Sequence, residues 1–299
     1  MKLEKIVSEY DGLGLETAVA APKGPPKGIV QFSHGMAEHK ERYYDFMNYL
    51  INRGYICVIH DHRGHGESVK MKEALGYFYT ENEQVMIEDL YTITKTIKMR
   101  YQDIPVYLFS HSMGTLVARG YIKRYGSEIE KLVLCGPPTH NPATGGALIL
   151  AKFVNLFYKE KRSNQLLNRL VFKNFNKGKE VQNGWISVNP NNVADYNKDP
   201  KCGFVFTTNG FINLFKLQKG AFNKSGWQVA NPDMPIFVIT GEEDPVIRSK
   251  EHFEELIQFL GARGYTDIKS KLYSRMSHEI LNETERMEVY KDIGDFFDS

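Results

Sequence analysis

The 299-residue chain carries 38 Lys+Arg against 36 Asp+Glu, a net charge of +2, with 42% hydrophobic and 12% aromatic residues. Near-cancelling charge argues against a protein that binds by neutralising phosphates or through a polybasic membrane patch, so nucleic acid is not an expected partner. The apolar content excludes a disordered chain, and the length admits two domains or one large α/β domain carrying an insertion.

Lys2, Glu4 and Lys5 interrupt the N-terminus, so it does not read as a signal peptide. Residues 4–20 read as two strands joined at Asp11-Gly12, a hairpin turn signal. Strands at 28–33, 55–60, 106–110 and 131–135 follow, short and rich in Val, Ile, Leu, Tyr and Phe as buried parallel strands are. Helices fill the gaps between them; the clearest places Met86, Leu90, Ile93 and Ile97 on one face. Residues 138–232 break the alternation, being richer in Asn, Lys and Phe with several helix-like segments. The βα pattern then resumes with a strand at 235–241, a helix at 249–260, a strand at 268–273 and a last helix at 282–297. Two blocks of one parallel sheet need each other to bury their faces. The expected architecture is therefore an α/β core of 1–137 and 233–299, mostly parallel with helices on both faces, and an inserted helical cap at 138–232. The longest apolar stretch, 147–158, contains Lys152 and is shorter than the roughly 20 residues that cross a bilayer, so no transmembrane segment is expected. Cys57, Cys135 and Cys202 are too few and scattered for a disulfide framework, which suits a reducing, cytoplasmic setting.

The strand at 106–110 runs into Ser110-His111-Ser112-Met113-Gly114 and then a helix. A nucleophile elbow, G-x-S-x-G, needs small residues two before and two after its serine, because the turn brings strand end and helix start together. Here Gly114 supplies the second, Ser110 replaces the first, and Ser112 is the candidate nucleophile. Ser110 is a poorer candidate, since Leu108 would crowd the same turn. The later partners follow in the order acid, then histidine. Asp244, in Glu242-Glu243-Asp244-Pro245, is favoured as the acid over Glu243 because Pro245 stiffens the backbone after it, and His278 follows the strand at 268–273. Backbone N–H groups of Met113 and Met36 are the candidate oxyanion hole, with Gly35 letting the chain approach the substrate.

Taken together, HGMAEH at 34–39, DHRGHGES at 61–68, SHSMGT at 110–115, GEEDPV at 241–246 and SHEILNE at 277–283 resemble the monoacylglycerol lipase and lysophospholipase branch of the α/β-hydrolase fold. The resemblance spans nearly the whole chain and includes the segment 193–206. It implies a Ser112, Asp244, His278 triad, an oxyanion hole at Met36 and Met113, no cofactor, and an acyl-ester substrate, small-molecule or lipid, whose chain lies under the cap. Ser110 departs from the glycine usual there.

Among the cap's apolar residues, Leu148, Phe153 and Phe157 are expected to bind substrate, lining an acyl pocket or making transient contact with a membrane surface. A zinc site at His60, His62 and His65 is the competing reading; no metal is expected, so EDTA should leave activity intact while a fluorophosphonate abolishes it. Amide or peptide cleavage is a second reading and would use acidic cap residues, of which Glu160, Glu180, Asp195 and Asp199 are the candidates. A non-catalytic ligand-binding protein on the same fold is a third, and it would usually lack a triad member. Because the base must be neutral, activity should fall below about pH 6.5, the ordinary value for His.

Overall fold

The structure is a computed structural model and describes residues 1–157 and 163–299. Strands β1 (Lys2–Val7) and β2 (Gly14–Ala20) form an antiparallel hairpin, with Gly12 at φ 73 in its turn. Then come β3 (Gly28–Ser33), α1 (Tyr44–Asn52), β4 (Tyr55–His60), α2 (Gln84–Arg100), β5 (Val106–His111), α3 (Met113–Tyr125) and β6 (Lys131–Cys135). Among the described residues four helices follow before the next strand: α4 (Thr144–Asn155), α5 (Gln165–Phe172), α6 (Pro190–Lys198) and α7 (Thr208–Ala221). The chain closes with β7 (Ile236–Gly241), α8 (Lys250–Gly261), β8 (Ile268–Tyr273) and α9 (Arg286–Asp298).

All eight strands join one sheet in the order β1-β2-β4-β3-β5-β6-β7-β8, parallel from β4 to β8. Every residue of β3 to β7 is buried, which is why these strands read as continuous apolar runs. Alternate side chains serve opposite faces. Ile56 and Val58 join the core under α2, α3 and α8, while Cys57 and Ile59 join the one under α1 and α9. Edge strand β8 carries the partly exposed Lys269 and Lys271, charges that discourage pairing with another chain.

Met86, Leu90, Ile93 and Ile97 are all buried, as their spacing predicts. Two boundaries differ. The last helix begins at Arg286, after a separate 3-10 turn at Ile280–Asn282, because the intervening Glu283 points inward. Strand β7 starts at Ile236, since Pro235 has no N–H to give the ladder, although its carbonyl accepts from Leu132. Among the four inserted helices, α4 packs on α7 and α7 on α3, so the insertion rests on the helix that follows Ser112.

Candidate active site

Ser112 sits between β5 and α3 at φ 49, ψ −119, a conformation that side chains other than glycine avoid at a cost of about 1–3 kcal/mol. Two features hold it there. Its N–H donates to Cys135 O at 2.9 Å, and Gly114 lets α3 press against β3: a Cβ on Gly114 would lie 2.1 Å from Ser33 O. No other side chain fits that position. Ser112 stays partly exposed.

Ser110 is fully buried, and its hydroxyl donates to Val133 O at 2.8 Å across the β5–β6 seam. The extra hydroxymethyl group is thus absorbed by the sheet without altering the turn, and its engagement removes Ser110 as a nucleophile. Ser110→Gly should keep kcat within about threefold but lower stability by about 1 kcal/mol, for one lost hydrogen bond and a freer unfolded chain. Thermal unfolding beside ester turnover checks this; a large loss of kcat would make Ser110 part of the turn's geometry.

Asp244 and His278 meet directly. The Asp244 Oδ2 to His278 Nδ1 distance is 2.9 Å, and the same carboxylate accepts from Thr240 Oγ1 (2.6 Å) and Val246 N (2.8 Å). Burial alone would push the Asp244 carboxyl up, but the imidazole and these two donors outweigh it and hold it below its ordinary value. Glu243 is exposed and faces Lys179. It takes no part in the pair.

His278 comes close to the serine turn through glycine. A Cβ on Gly136, which follows the carbonyl that anchors Ser112, would lie 2.9 Å from His278 Cε1. A Cβ on Gly241, at the end of β7, would strike the Met276 and Ser277 carbonyls. Among the described residues no hydrogen bond joins the Ser112 hydroxyl to the imidazole, a contact that commonly tightens only when substrate arrives.

On the other side of Ser112, a Cβ on Gly35 would lie 3.2 Å from Ser112 Cβ, so the 33–39 loop passes directly over the serine. Met36 is the one partly exposed residue in that loop. Met113 heads α3, and its amide is among the four that have no acceptor inside a helix.

Buried charges brace this loop. Glu38 accepts from Gly35 N and Tyr43 OH and contacts His111 Nδ1 at 3.1 Å, and Arg42 spans Glu38 and Glu279. Burial alone would raise the Glu38 carboxyl, yet the hydrogen bond and charge of His111, with Arg42, hold it far below its usual value. Burial would lower His111 in turn, and Glu38 keeps it raised. The 33–39 loop is also tied to the insertion, because Ala37 O accepts from Tyr196 OH (3.0 Å) and Gly203 N (2.9 Å). None of these roles is legible in the sequence: Glu38 and Glu279 sit in motifs, but nothing in their spacing says that they are buried.

The insertion also reaches the histidine. Trp185 lies 5.2 Å from the His278 ring, tilted against it, with Phe172 and Phe175 around it, and Ser277 Oγ donates to Trp185 O. Glu283 fastens the two segments, accepting from Ser187 Oγ, Val188 N, Asn189 N and Ser277 N.

The expected substrate residues divide. Leu148 is buried with Ala151 and Val154 on the inner face of α4, whereas Phe153 and Phe157 are 59% and 72% exposed. Those two phenylalanines meet edge to face at the surface, with ring centroids 5.2 Å apart. His60, His62 and His65 form no metal-ligand group among the described residues. Their loop is braced by Arg63, which pairs with Asp89 and Asp11, and by Asp61, which pairs with Lys40.

A family model described as serine aminopeptidase, S33, matches residues 24–285. The chain is 25% identical over 285 residues to a monoacylglycerol lipase of Mycolicibacterium smegmatis, covering 94% of this chain and 92% of that protein. It is 29% identical over 190 residues to the monoglyceride lipase of Rattus norvegicus, an alignment covering 64% of this chain and 57% of the rat protein. Among solved structures, a thermostable carboxyl esterase from Bacillus coagulans in complex with glycerol superposes with a TM-score of 0.92 at 26% identity, covering 99% of this chain and 97% of that one.

Proposed function

The chain belongs to the serine aminopeptidase S33 family of α/β-hydrolases, and from that premise we propose that it is a serine carboxylic-ester hydrolase acting on monoacylglycerol- or lysophospholipid-like acyl esters. One observation carries the reading: a serine held at φ 49 on a strand-to-helix turn, beside an imidazole bonded at 2.9 Å to a buried carboxylate.

In this mechanism His278 takes the Ser112 proton as Oγ attacks the ester carbonyl, and the Met36 and Met113 amides hold the oxyanion. Asp244 fixes the proton on Nδ1, leaving Nε2 free to act as base. Collapse expels the alcohol, which takes the proton from His278. Water then attacks the acyl-enzyme by the same route, releasing the acid and free Ser112. No step calls for a cofactor.

Amide cleavage has less support. Glu180 and Asp195 are exposed, Asp199 is bonded to His39, and Glu160 lies outside the described residues. The likeness to carboxyl esterase and monoacylglycerol lipase favours esters.

The 138–232 segment acts as the cap over the 1–137 and 233–299 core, with the acyl chain beneath it. Each buried methylene is worth up to about 0.8 kcal/mol, so kcat/KM should rise about fourfold at most per added CH₂ until the pocket is full. A panel of esters from acetyl to dodecanoyl tests this, and equal values throughout would refute a deep acyl site.

The near-zero net charge also conceals a segregation. Residues 138–232 hold 13 Lys+Arg and 4 Asp+Glu, leaving 25 and 32 in the remainder. Ile149, Phe153, Leu156, Phe157, Leu166 and Leu170 are exposed on the same segment. Among the described residues no helix is long and apolar enough to cross a membrane. A segment that is basic in composition and carries these exposed apolar side chains suits transient contact with a lipid surface. Sedimentation with vesicles, compared with Phe153→Ser/Phe157→Ser, tests the contact; equal sedimentation would remove it.

A further inference from the structure

Away from Ser112, three side chains with metal-binding donors meet where the 33–39 loop touches the insertion. We propose that His39, Asp199 and Cys202 form a binding site for a divalent metal ion of the zinc type. The inference does not rest on the hydrolase reading.

One donor atom from each of the three lies within 4.8 Å of the others. Imidazole nitrogen, carboxylate oxygen and thiolate sulfur are the ligands zinc takes, at about 2.0–2.3 Å. A single ion at their centre reaches all three with small side-chain movements. Asp199 and Cys202 end a tight turn, closed by Cys202 N donating to Asp199 O at 3.0 Å, with Pro200 stiffening it. That D-x-x-C separation matches the short spacing of paired ligands in zinc sites. His39 faces the turn from the opposite segment, its Nε2 2.9 Å from Asp199 Oδ2.

The surroundings are compatible with an ion. His39 and Cys202 are buried, and the Nδ1 of His39 has no partner among the described residues. When the metal takes Nε2, the hydrogen bond from Nε2 to Asp199 Oδ2 is replaced by bonds from both groups to the ion, and the ring proton moves to the unpartnered Nδ1. Asp199 is partly exposed on an open cavity of about 390 Å³ that His39 also lines, which gives the ion an entry path and leaves room for water as the fourth ligand. Of the nearby cations, Lys201 is engaged by Glu67 and Arg42 by Glu279 and Glu38, while Lys198 also lines the cavity.

Burial pushes the Cys202 thiol up, so the metal must displace its proton: the S–H bond breaks, a Zn–S bond forms, and one proton leaves to solvent. Affinity should therefore weaken about tenfold for each unit fall in pH. A bound ion would staple the turn at Asp199 to the loop that carries Met36.

Metal-free full-length protein titrated with Co²⁺ tests the site. One ion per chain is expected, with a thiolate-to-cobalt charge-transfer band in the near ultraviolet that Zn²⁺ abolishes. Cys202→Ser should lose the band while keeping ester hydrolysis, which shows that it is folded. Asp199→Asn should bind Zn²⁺ at least about tenfold more weakly in competition with a chromophoric chelator. Absence of the band in wild type, or equal zinc uptake by wild type and both variants, would overturn the proposal.

Discussion

Ser112→Ala is expected to lower kcat by about 10⁴- to 10⁶-fold, leaving only the catalysis that the oxyanion amides and substrate binding supply. The methyl group fits wherever the hydroxymethyl does, so unfolding temperature should barely change and the loss will be chemical. Asp244→Asn should cost about 10⁴-fold for a different reason. Val246 N would still donate to the remaining amide oxygen, but the N–H₂ group would then take the place of Oδ2, giving up the Thr240 donor and presenting N–H to His278, which reverses the imidazole tautomer. Ester turnover beside mass spectrometry of the fluorophosphonate adduct reads both. Wild type should carry one adduct, on Ser112, and Ser112→Ala none. An alanine variant retaining a tenth of wild-type turnover would sink the assignment.

A second large effect is expected in acid. His34, His60, His62 and His65 lie in one buried cluster beneath the 33–39 loop, with successive rings 4.5–5.2 Å apart. Burial lowers all four, His60 and His65 to about 3. They remain neutral in the folded state, whereas in the unfolded chain each takes a proton near the ordinary value of about 6.5. As pH falls below that value the unfolded state binds more protons than the folded one, so stability drops, by up to about 1.4 kcal/mol per pH unit for each histidine. The loss runs from about pH 6.5 towards 3. Depressed carboxyls at Glu38, Asp61 and Asp244 add to it only below the ordinary carboxylate value, as pH falls through their lowered ones. Denaturant unfolding at several pH values measures the slope. Uptake of two to four protons on unfolding near pH 5 is expected, and a stability independent of pH between 6.5 and 4.5 would contradict the cluster's neutrality.

These two predictions come from unequally legible parts of the chain. The elbow could be read because its requirements are local: small residues at fixed offsets, a strand before it and a helix after it. Asp244 and His278 could be read because each follows a strand by a short loop, and parallel strands deliver their C-terminal loops to one edge. Ser110 could be seen as unusual, but only the position of Val133 O in the neighbouring strand explains why it is tolerated.

The histidine cluster shows the opposite case. His60, His62 and His65 in a Gly-rich loop suggest a metal site by spacing, yet the fold turns them into a neutral packing unit against His34 and the rings of Phe78, Phe204 and Phe206. Glu38, Arg42 and Glu279 read as ordinary charged residues and prove to be a buried brace.

The amino-acid sequence alone determined the alternating βα order and its interruption between β6 and β7, and it singled out the three residues that the proposed acyl transfer uses. All of these depend on short-range periodicity and turn chemistry. Only the tertiary structure decided which charges are buried, which face of α4 meets solvent and which cap residues touch His39 and His278. Those are contacts between segments more than ninety residues apart, made by packing rather than by any pattern along the chain.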